Sequence, residues 1–289
     1  MQRLSDAHYL VNEQYRDATN LDARIALHAR FSTNKYGWFP WVFDQLSLPP
    51  KCRILELGCG PGDLWAENLS RIPDGWSITL TDFSTGMLDR ASERLRQHRD
   101  RFGFAQADAQ SIPYADETFD AIIANHMLYH IPDRPKALAE MHRVLVRGGR
   151  LYATTVGQSH LRELYDLVFR VNAEGELKWW HEDNPFVLEN GAEQLSPWFS
   201  DIEMRRYDDN LAITEIEPLV AYVMSSATGA ALKGDRPAAF RALAQREISA
   251  HGEIRICKDS GMFLAVRRDS PAKRVRSHEG APRKGISLP

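Results

Sequence analysis

Three glycines in five residues, Gly58-Cys-Gly-Pro-Gly62, directly follow an apolar run that ends at Leu57. Glycine adopts positive φ and lets a backbone approach a ligand where a Cβ would clash. Residues 53–57 are predicted as a strand and 64–71 as a helix, so the glycines occupy a strand-to-helix turn. In α/β proteins such a turn is typical of nucleotide-type ligands.

The same alternation of strand, turn and helix continues along the chain. Because helices separate the first five strands, we expect a mostly parallel seven-stranded sheet with helices on both faces, a Rossmann-like α/β fold. The strand at 120–125 is a continuous apolar run, which is typical of a central strand covered on both faces. The predicted strands are 53–57, 77–81, 103–106, 120–125, 150–155, 202–207 and 261–266. The predicted helices are 23–30, 64–71, 86–98, 134–146, 160–172, 186–195, 217–225 and 238–250.

These elements divide the chain into five segments. Residues 1–46 are predicted as an N-terminal helical cap and 47–157 as the ligand-binding core. Residues 158–200 are predicted as a helical insertion over the active site, and 201–268 complete the sheet. The tail 269–289 is rich in Ser, Pro, Gly and basic residues and is expected to be disordered.

Composition excludes several classes of function. The net charge of −3 gives no general attraction to nucleic acid or to an anionic membrane. The apolar runs are too short to span a bilayer, and Met1–Asp6 lacks the pattern of a signal peptide. The three cysteines lack metal-ligand spacing, so we expect reduced thiols, no metal and a cytoplasmic protein.

Polar residues stand where four predicted strands end. Glu56 and the glycine turn follow the first strand, Asp82 ends the second, Asp108 ends the third, and Asn125 with His126 ends the fourth. Ligands of open α/β sheets bind at this edge. A dinucleotide site would have a third glycine at position 63, where this chain has Asp63. An anionic turn instead suits a cofactor that carries an ammonium and a sulfonium.

Two of these acids have alternative interpretations. Asp82 lies 24 residues after Gly58, the distance at which a carboxylate accepts hydrogen bonds from ribose hydroxyls. It could instead cap a helix that begins near Ser84. Asp108 is interpreted as an acceptor for the adenine amine, with the Ala109 backbone beside it; the alternative is an ordinary loop carboxylate.

Four motifs together resemble class I S-adenosylmethionine (SAM)-dependent methyltransferases. They are Leu55-Glu-Leu-Gly-Cys-Gly-Pro-Gly62, Thr81-Asp-Phe-Ser84, the segment Gln106–Asp120, and Arg143-Val-Leu-Val-Arg-Gly-Gly149. Within that superfamily the chain is similar to the small-molecule group that includes ubiquinone- and menaquinone-type enzymes. The resemblance covers about residues 50–157 and implies SAM as cofactor.

The resemblance also implies roles for individual residues. Gly58, Gly60 and Gly62 would contact the amino-acid part of SAM, and Asn125 would lie beneath its methionine part. Asp82 would hold the ribose, Asp108 and Ala109 the adenine, with Phe83 and Met87 beside the adenine ring.

Aromatic residues outside the sheet together predict a pocket for an apolar or flat acceptor, although each residue alone is better explained by core packing. The candidates are Tyr15, Tyr36, Trp38, Tyr129, His160, Trp179 and Trp180. His126 and His130 are candidate general bases, with a loop cap or a carbonyl hydrogen bond as the alternative. The aromatic N-terminal segment is expected to pack over the active site and is a candidate homo-oligomer interface.

The sequence therefore predicts methylation of an apolar or aromatic small molecule at oxygen, nitrogen or carbon, in natural-product or quinone biosynthesis. A nucleic-acid methyltransferase is one alternative. Only the basic tail favours it, and Asn125-His-Met-Leu128 replaces the tetrad typical of exocyclic-amine methylation. A SAM-binding regulator without catalysis is the other alternative.

Overall fold

A mixed sheet organises the protein, whose computed structural model describes residues 19–172, 185–226, 229 and 232–269. Seven strands form one sheet in the described residues, in the order β3-β2-β1-β4-β5-β7-β6. Strands β1 to β5 are parallel, whereas β7 is antiparallel to β5 and to β6. This confirms the predicted fold class. The strands are β1 (Cys52–Leu57), β2 (Trp76–Asp82), β3 (Phe102–Gln106), β4 (Phe119–Asn125), β5 (Leu145–Val156), β6 (Phe199–Ile213) and β7 (Ile254–Arg267).

Helices cover both faces of this sheet. They are α1 (Thr19–Phe31), α2 (Trp38–Asp44), α3 (Asp63–Ala66), α4 (Thr85–Arg94), α5 (Arg134–Val144), α6 (Arg162–Val171), α7 (Gly191–Leu195), α8 (Ile216–Met224) and α9 (Arg236–His251). Short 3₁₀ turns lie at Leu69–Arg71, Arg96–Arg101 and Leu128–His130. No helix of the described ranges is long and apolar enough to cross a membrane.

Strand β4 lies at the centre of two cores, as its continuous apolar run predicts. Ala121 and Ile123 pack in one core with residues of α2, α3 and α4. Ile122 and Ala124 pack in the other core with residues of α5 and α7. Successive side chains of a strand point to opposite faces, so a strand covered twice has to be apolar throughout.

Strands β6 and β7 continue beyond the carboxyl edge of the parallel sheet. The pairing of β5 with β7 ends at Val156 opposite Ser260, but β6 and β7 stay paired to Ile213 opposite Ile254. Beyond Val156 only these two strands remain, and they form a two-stranded ribbon of residues 207–213 and 254–260. The ribbon is about 20 Å long, given the rise per residue of an antiparallel strand. A third core packs on this ribbon and includes residues of α1, α6, α8 and α9. We call the ribbon and these four helices the cap; this unit differs from the N-terminal helical cap predicted for residues 1–46.

Several predicted bounds are wrong. Strands six and seven are longer than predicted, because Asp209 and Lys258 reduce strand propensity on their own but form an ion pair inside the ribbon. The predicted helix 64–71 breaks after Ala66, where the Asn68 amide donates to the carbonyls of Leu64 and Phe39.

The predicted helix 186–195 is reduced to α7. Before it, the Asn190 side chain accepts from the Val187 amide at 2.9 Å and holds a turn. Residues 1–18, 173–184, 227–228, 230–231 and 270–289 are outside the described residues. The predictions for Tyr15, Trp179, Trp180 and the basic tail therefore remain predictions.

Candidate active site

The strand order reverses between β1 and β4, and both strands end at the same crevice. From β1 the chain proceeds to β2 and β3 on one side, and it continues through β5 on the other. A Cβ placed on Gly58 would lie 2.9 Å from the Cβ of Met127. The glycine turn after β1 therefore contacts the loop after β4. Ligands of open α/β sheets bind at such a reversal.

All three glycines of the turn have positive φ, but the surroundings of Gly60 and Gly62 differ. Gly60 has φ +54°, and no atom of the described residues would contact a Cβ there within 4 Å. Gly62 has φ +79°, and its Cβ would lie 3.3 Å from Leu95 and 3.4 Å from Ala91. Gly60 thus leaves open space beside the backbone, whereas Gly62 permits close packing against α4 and the residue that follows it.

Glu56 is a buried acid at the end of β1. The indole N–H of Trp65 donates to its Oε2 at 2.5 Å. Burial, reinforced by Asp82 and Asp63, raises the pKa of Glu56 to about 8. Asp63 itself forms an ion pair with Arg94 at 2.6 Å.

Asp82 links β2 to the glycine turn. Its Oδ2 accepts from the Gly60 amide at 2.9 Å, and its Oδ1 accepts from the Ser84 amide at 2.8 Å. The N-cap of α4 is Ser84, whose hydroxyl accepts from the Met87 amide, so Asp82 does not cap the helix. Burial raises the pKa of Asp82, while these amides oppose the shift.

Hydrophobic groups stand beside this acid. The Phe83 side chain is 48% exposed at the mouth of the crevice, whereas Met87 is 4% exposed. An exposed aromatic ring next to a carboxylate leaves a flat surface available to a ligand.

The other predicted cofactor residues lie at the ends of β3 and β4. Asp108 accepts from the Gln110 amide at 2.8 Å and from its side chain at 3.1 Å, and Ala109 is buried. Asn125 Oδ1 accepts from the Thr154 hydroxyl at 2.5 Å. These bonds fix both side chains at the crevice.

His126 adopts the left-handed conformation, with φ +52°. Its amide donates to the Thr154 hydroxyl at 2.9 Å, and its ring packs 5.0 Å from that of Trp38. Desolvation, together with Lys258 and His130, lowers the pKa of His126 to about 4. Tyr129 lies 6.3 Å from the His126 ring and 4.5 Å from the His130 ring.

The cap adds residues to the space around His126. Burial lowers the pKa of His28, on α1, to about 3; Lys258 and His126 act in the same direction, and Asp209 opposes them. Burial also lowers the pKa of His160 well below its usual value, and His28, His126 and Lys258 act in the same direction. The three imidazoles are therefore close enough to influence one another. His160 Nδ1 lies 3.5 Å from the Ser260 hydroxyl.

Four residues here were missed by sequence reasoning. They are His28, Tyr207, Asp209 and Lys258, which belong to α1, β6 and β7. The available sequence signal was the spacing by two or four residues of Tyr207, Leu211 and Ile213, which are buried along β6 together with Asp209. It was hidden because Asp208-Asp209-Asn210 is typical of a turn.

The strands and turns that form this crevice are similar to a known domain family. Residues 55–153 match the profile of the methyltransferase domain family. The matched segment begins in β1 and ends in β5, and it contains the whole crevice described above. This segment is therefore similar to the methyltransferase domain family, and we call residues 55–153 the methyltransferase domain.

Two curated relatives of the methyltransferase domain are similar to part of this chain. The ubiquinone/menaquinone biosynthesis C-methyltransferase UbiE of Pectobacterium carotovorum is 34% identical over 129 residues, which are 44% of this chain and 51% of the relative. Methyltransferase GfsG of Streptomyces halstedii is 33% identical over 161 residues, 49% of this chain and 55% of the relative. The chain thus spans about half the length of the curated relatives it matches.

Solved structures extend the likeness of fold beyond the methyltransferase domain. Phosphoethanolamine N-methyltransferase 2 of Haemonchus contortus superposes with a TM-score of 0.56 at 20% identity, covering 91% of this chain and 60% of that protein. The YcgJ protein of Bacillus subtilis gives 0.53 at 18% identity, covering 80% and 98%. At these identities the likeness concerns the fold alone.

The predicted acceptor residues are only partly brought together around the methyltransferase domain. Trp38, Tyr129 and His160 lie with His126, as described above. Tyr36 does not join them: its side chain is 55% exposed, and its hydroxyl donates to Asp44 at 2.6 Å. Among the described residues, no group of three or more His, Cys, Asp or Glu side chains is arranged to hold a metal ion.

Proposed function

We propose that this protein transfers the methyl group of SAM to an apolar or aromatic small molecule. The observation that carries the proposal is the crevice between β1 and β4, where the glycine turn, Asp82, Asp108 and Asn125 of the methyltransferase domain converge. The first relative, UbiE, is a C-methyltransferase of ubiquinone and menaquinone biosynthesis, which supports an acceptor of this chemical kind.

The cofactor is proposed to lie along this crevice. The open space at Gly60 suits close approach of the amino-acid part of SAM. The Glu56 carboxyl, whose pKa is raised to about 8, would ionise when the ammonium of SAM pairs with it. Asp82 already holds the Gly60 amide, so ribose hydroxyls would use its remaining lone pairs. The exposed ring of Phe83 and the backbone of Ala109 would border the adenine, with Asp108 accepting from its amine.

Bound SAM supplies a methyl group on a positively charged sulfur. The protein then has to hold the acceptor atom in line with that methyl group, and such positioning lowers a barrier by about 7–11 kcal/mol. Trp38, Tyr129 and His160 form part of the wall that would do so. If the acceptor has to lose a proton, His126 and His130 are the proposed general bases. General base catalysis raises the rate of such a reaction by about 10²–10⁴-fold.

Calorimetric titration with SAM and transfer of labelled methyl groups to a panel of aromatic small molecules test the proposal. We expect binding of SAM and label in at least one product. Asp82→Asn should weaken SAM binding at least about tenfold, because it removes a charge-assisted acceptor of the ribose. Asp89→Asn, on the exposed face of α4, is the matched control and should bind SAM normally.

The alternatives give different results in the same assay. SAM binding without label in any small molecule or nucleic acid would identify a regulator. Label in nucleic acid alone would identify a nucleic-acid methyltransferase. Normal SAM binding by the Asp82→Asn variant would contradict the proposed cofactor position.

A further inference from the structure

Thr154 lies on β5 beside the last residue of β4. The two strands are parallel here, and Thr154 is the register partner of Asn125. Its side chain is fully buried, so its hydroxyl has to find hydrogen-bond partners within the protein. The hydroxyl donates to Asn125 Oδ1 at 2.5 Å and accepts from the His126 amide at 2.9 Å. Both partners belong to the point where the chain leaves β4.

The first of these bonds orients the Asn125 side chain. A hydroxyl has one proton, and Thr154 donates it to the Asn125 oxygen. The Asn125 amide group therefore retains its two N–H donors for a ligand, and such donors suit a carboxylate or another oxygen acceptor. The last torsion of an Asn side chain is roughly two-fold, so without this bond the amide can reverse and present its oxygen instead.

The second bond fixes the backbone at His126. This residue has φ +52°, a conformation that residues with a Cβ adopt only where their surroundings hold them. The Thr154 hydroxyl holds its amide, and the Trp38 ring packs 5.0 Å from its imidazole. The next residue, Met127, lies against the glycine turn, where a Cβ on Gly58 would be 2.9 Å from its own Cβ. The placement of this loop on the glycine turn thus depends on the bond to Thr154.

Thr155 shows that a buried hydroxyl on β5 does not by itself reach the crevice. Successive side chains of a strand point to opposite faces of the sheet. Thr155 is as buried as Thr154, but its hydroxyl donates to the Phe186 carbonyl at 2.7 Å. Phe186 is fully buried in the core that packs on α5 and α7. Two adjacent residues of one type therefore differ in the groups that they hold.

We propose that Thr154 is a positioning residue for methyl transfer, whose hydroxyl aligns SAM, through Asn125, with the acceptor, through the backbone of His126. The proposal rests on the proposed function and adds to it a residue of β5. Because Thr154 is fully buried, it acts through these two neighbours and not on the reacting atoms. Transfer needs the acceptor atom in line with the methyl group, and a displacement of about 1 Å lowers such a rate by up to about 10²-fold.

Thr154→Val tests this role in the full chain, since it keeps the shape of the side chain and removes both hydrogen bonds. The single-turnover rate of labelled methyl transfer is measured with the aromatic small molecule that the wild type labels fastest. We expect this rate to fall by about 10- to 10²-fold. The Kd for SAM and the KM for the acceptor should stay within about threefold of the wild-type values, because the ligand contacts remain. Thr154→Ser keeps the hydroxyl and should restore the rate.

Thr155→Val is the matched control, because it removes a buried hydrogen bond from the same strand on the other face. It should lose stability in urea as Thr154→Val does, but it should transfer methyl at the wild-type rate. Equal loss of rate in both Val variants would show a structural role alone and overturn the proposal. A wild-type rate in Thr154→Val, or a Ser variant as slow as the Val variant, would also overturn it.

Two further measurements keep the outcome decisive. Thr154→Cys has a weak donor and acceptor of similar size, so it takes the place of Thr154→Val if that variant does not fold. A wild-type rate in the Cys variant would then overturn the proposal. The wild type itself separates the two proposals: SAM binding without label in any acceptor overturns the proposed function and the role of Thr154 with it. Full transfer by both the wild type and Thr154→Val overturns the role of Thr154 alone.

Discussion

At the scale of single residues, Gly60 has two proposed roles: its positive φ is needed for the fold, and its missing side chain leaves space for SAM. Gly60 and Gly148 both have positive φ, +54° and +68°, and a Cβ at either would meet no described atom within 4 Å. Alanine should therefore destabilise the fold similarly at both positions, by about 1–2 kcal/mol. Only Gly60→Ala should also weaken SAM binding, since its Cβ enters the proposed cofactor site.

Chemical denaturation and calorimetry measure the two effects for the same pair of variants. Gly148 is at the amino end of the parallel sheet, where the pairing of β5 with β4 shifts register, and thus serves as the matched control. Equal SAM affinity of the two variants would show that the cofactor does not approach Gly60.

The imidazoles make stability depend on pH. A histidine in the unfolded chain has a pKa of 6.5, whereas folding lowers the pKa of His28 to about 3 and that of His126 to about 4. Between these values the unfolded chain binds more protons than the folded chain. The free energy of unfolding should therefore be fully retained above pH 6.5 and fall on acidification, by up to about 1.4 kcal/mol per pH unit and imidazole.

Urea unfolding at a series of pH values between 7 and 4 checks this dependence. His28→Gln should reduce the slope, because the titrating group is gone. His98→Gln changes an exposed histidine and should leave the slope as in the wild type. An unchanged slope in the His28 variant would contradict the assigned burial.

The proposed cofactor residues were accessible to sequence reasoning for a physical reason. Glu56, Asp82, Asp108 and Asn125 each end a parallel strand, and such strand ends meet at one edge. The residues that the cap adds around His126 do not obey such a rule. His28 and Lys258 are 230 positions apart and meet only because the cap packs on the ribbon. Their proximity depends on tertiary packing, which has no local sequence pattern.

At the scale of elements, the ribbon depends on Asp209. This carboxylate is 3% exposed and accepts from Lys258, from the Ser32 hydroxyl at 2.6 Å and from the Asn34 amide at 2.9 Å. It therefore holds the ribbon together and attaches the segment that follows α1. Desolvation alone would raise the pKa of Asp209, but these donors outweigh it and keep the pKa below its usual value.

Asp209→Ala should destabilise the protein by about 3–5 kcal/mol, because it leaves the Lys258 ammonium buried and unpaired. Proteolysis near residues 32–34 should accelerate as that attachment is lost. Asp208→Ala is the matched control: this neighbour is exposed, and only its carbonyl binds the Asn34 side chain. Equal stability of the two variants in urea would contradict this role of the ion pair.

The same strand explains an error of prediction. In the sequence, Asp208-Asp209-Asn210 indicates the end of a strand, and the predicted strand stops at Tyr207. In the structure β6 continues to Ile213, since Asp209 faces inward to Lys258 while Asp208 and Asn210 face outward. Strand propensity describes isolated residues, whereas a cross-strand ion pair depends on a partner 49 positions away.

At the scale of the whole molecule, the methyltransferase domain and the cap have different origins in the chain. The domain is built from one continuous stretch, residues 55–153, and its fold follows from local alternation. The cap combines α1 with elements that follow β5, so its core forms only when both parts of the chain are present. Cofactor binding and acceptor binding are therefore expected to respond differently to truncation.

Deletion of residues 1–30 tests this division. It removes Leu27, fully buried in the cap core, together with His28, but no residue of the crevice between β1 and β4. The Kd for SAM should stay within about threefold of the wild-type value, while kcat/KM for the acceptor falls by roughly 10²-fold, because a displaced cap no longer positions it. Deletion of residues 1–18 leaves α1 whole and should have a smaller effect on turnover.

Light scattering of both variants tests whether the N-terminal segment is a subunit interface. Unchanged kinetics with unchanged size after deletion of 1–30 would show that α1 serves neither the acceptor site nor assembly.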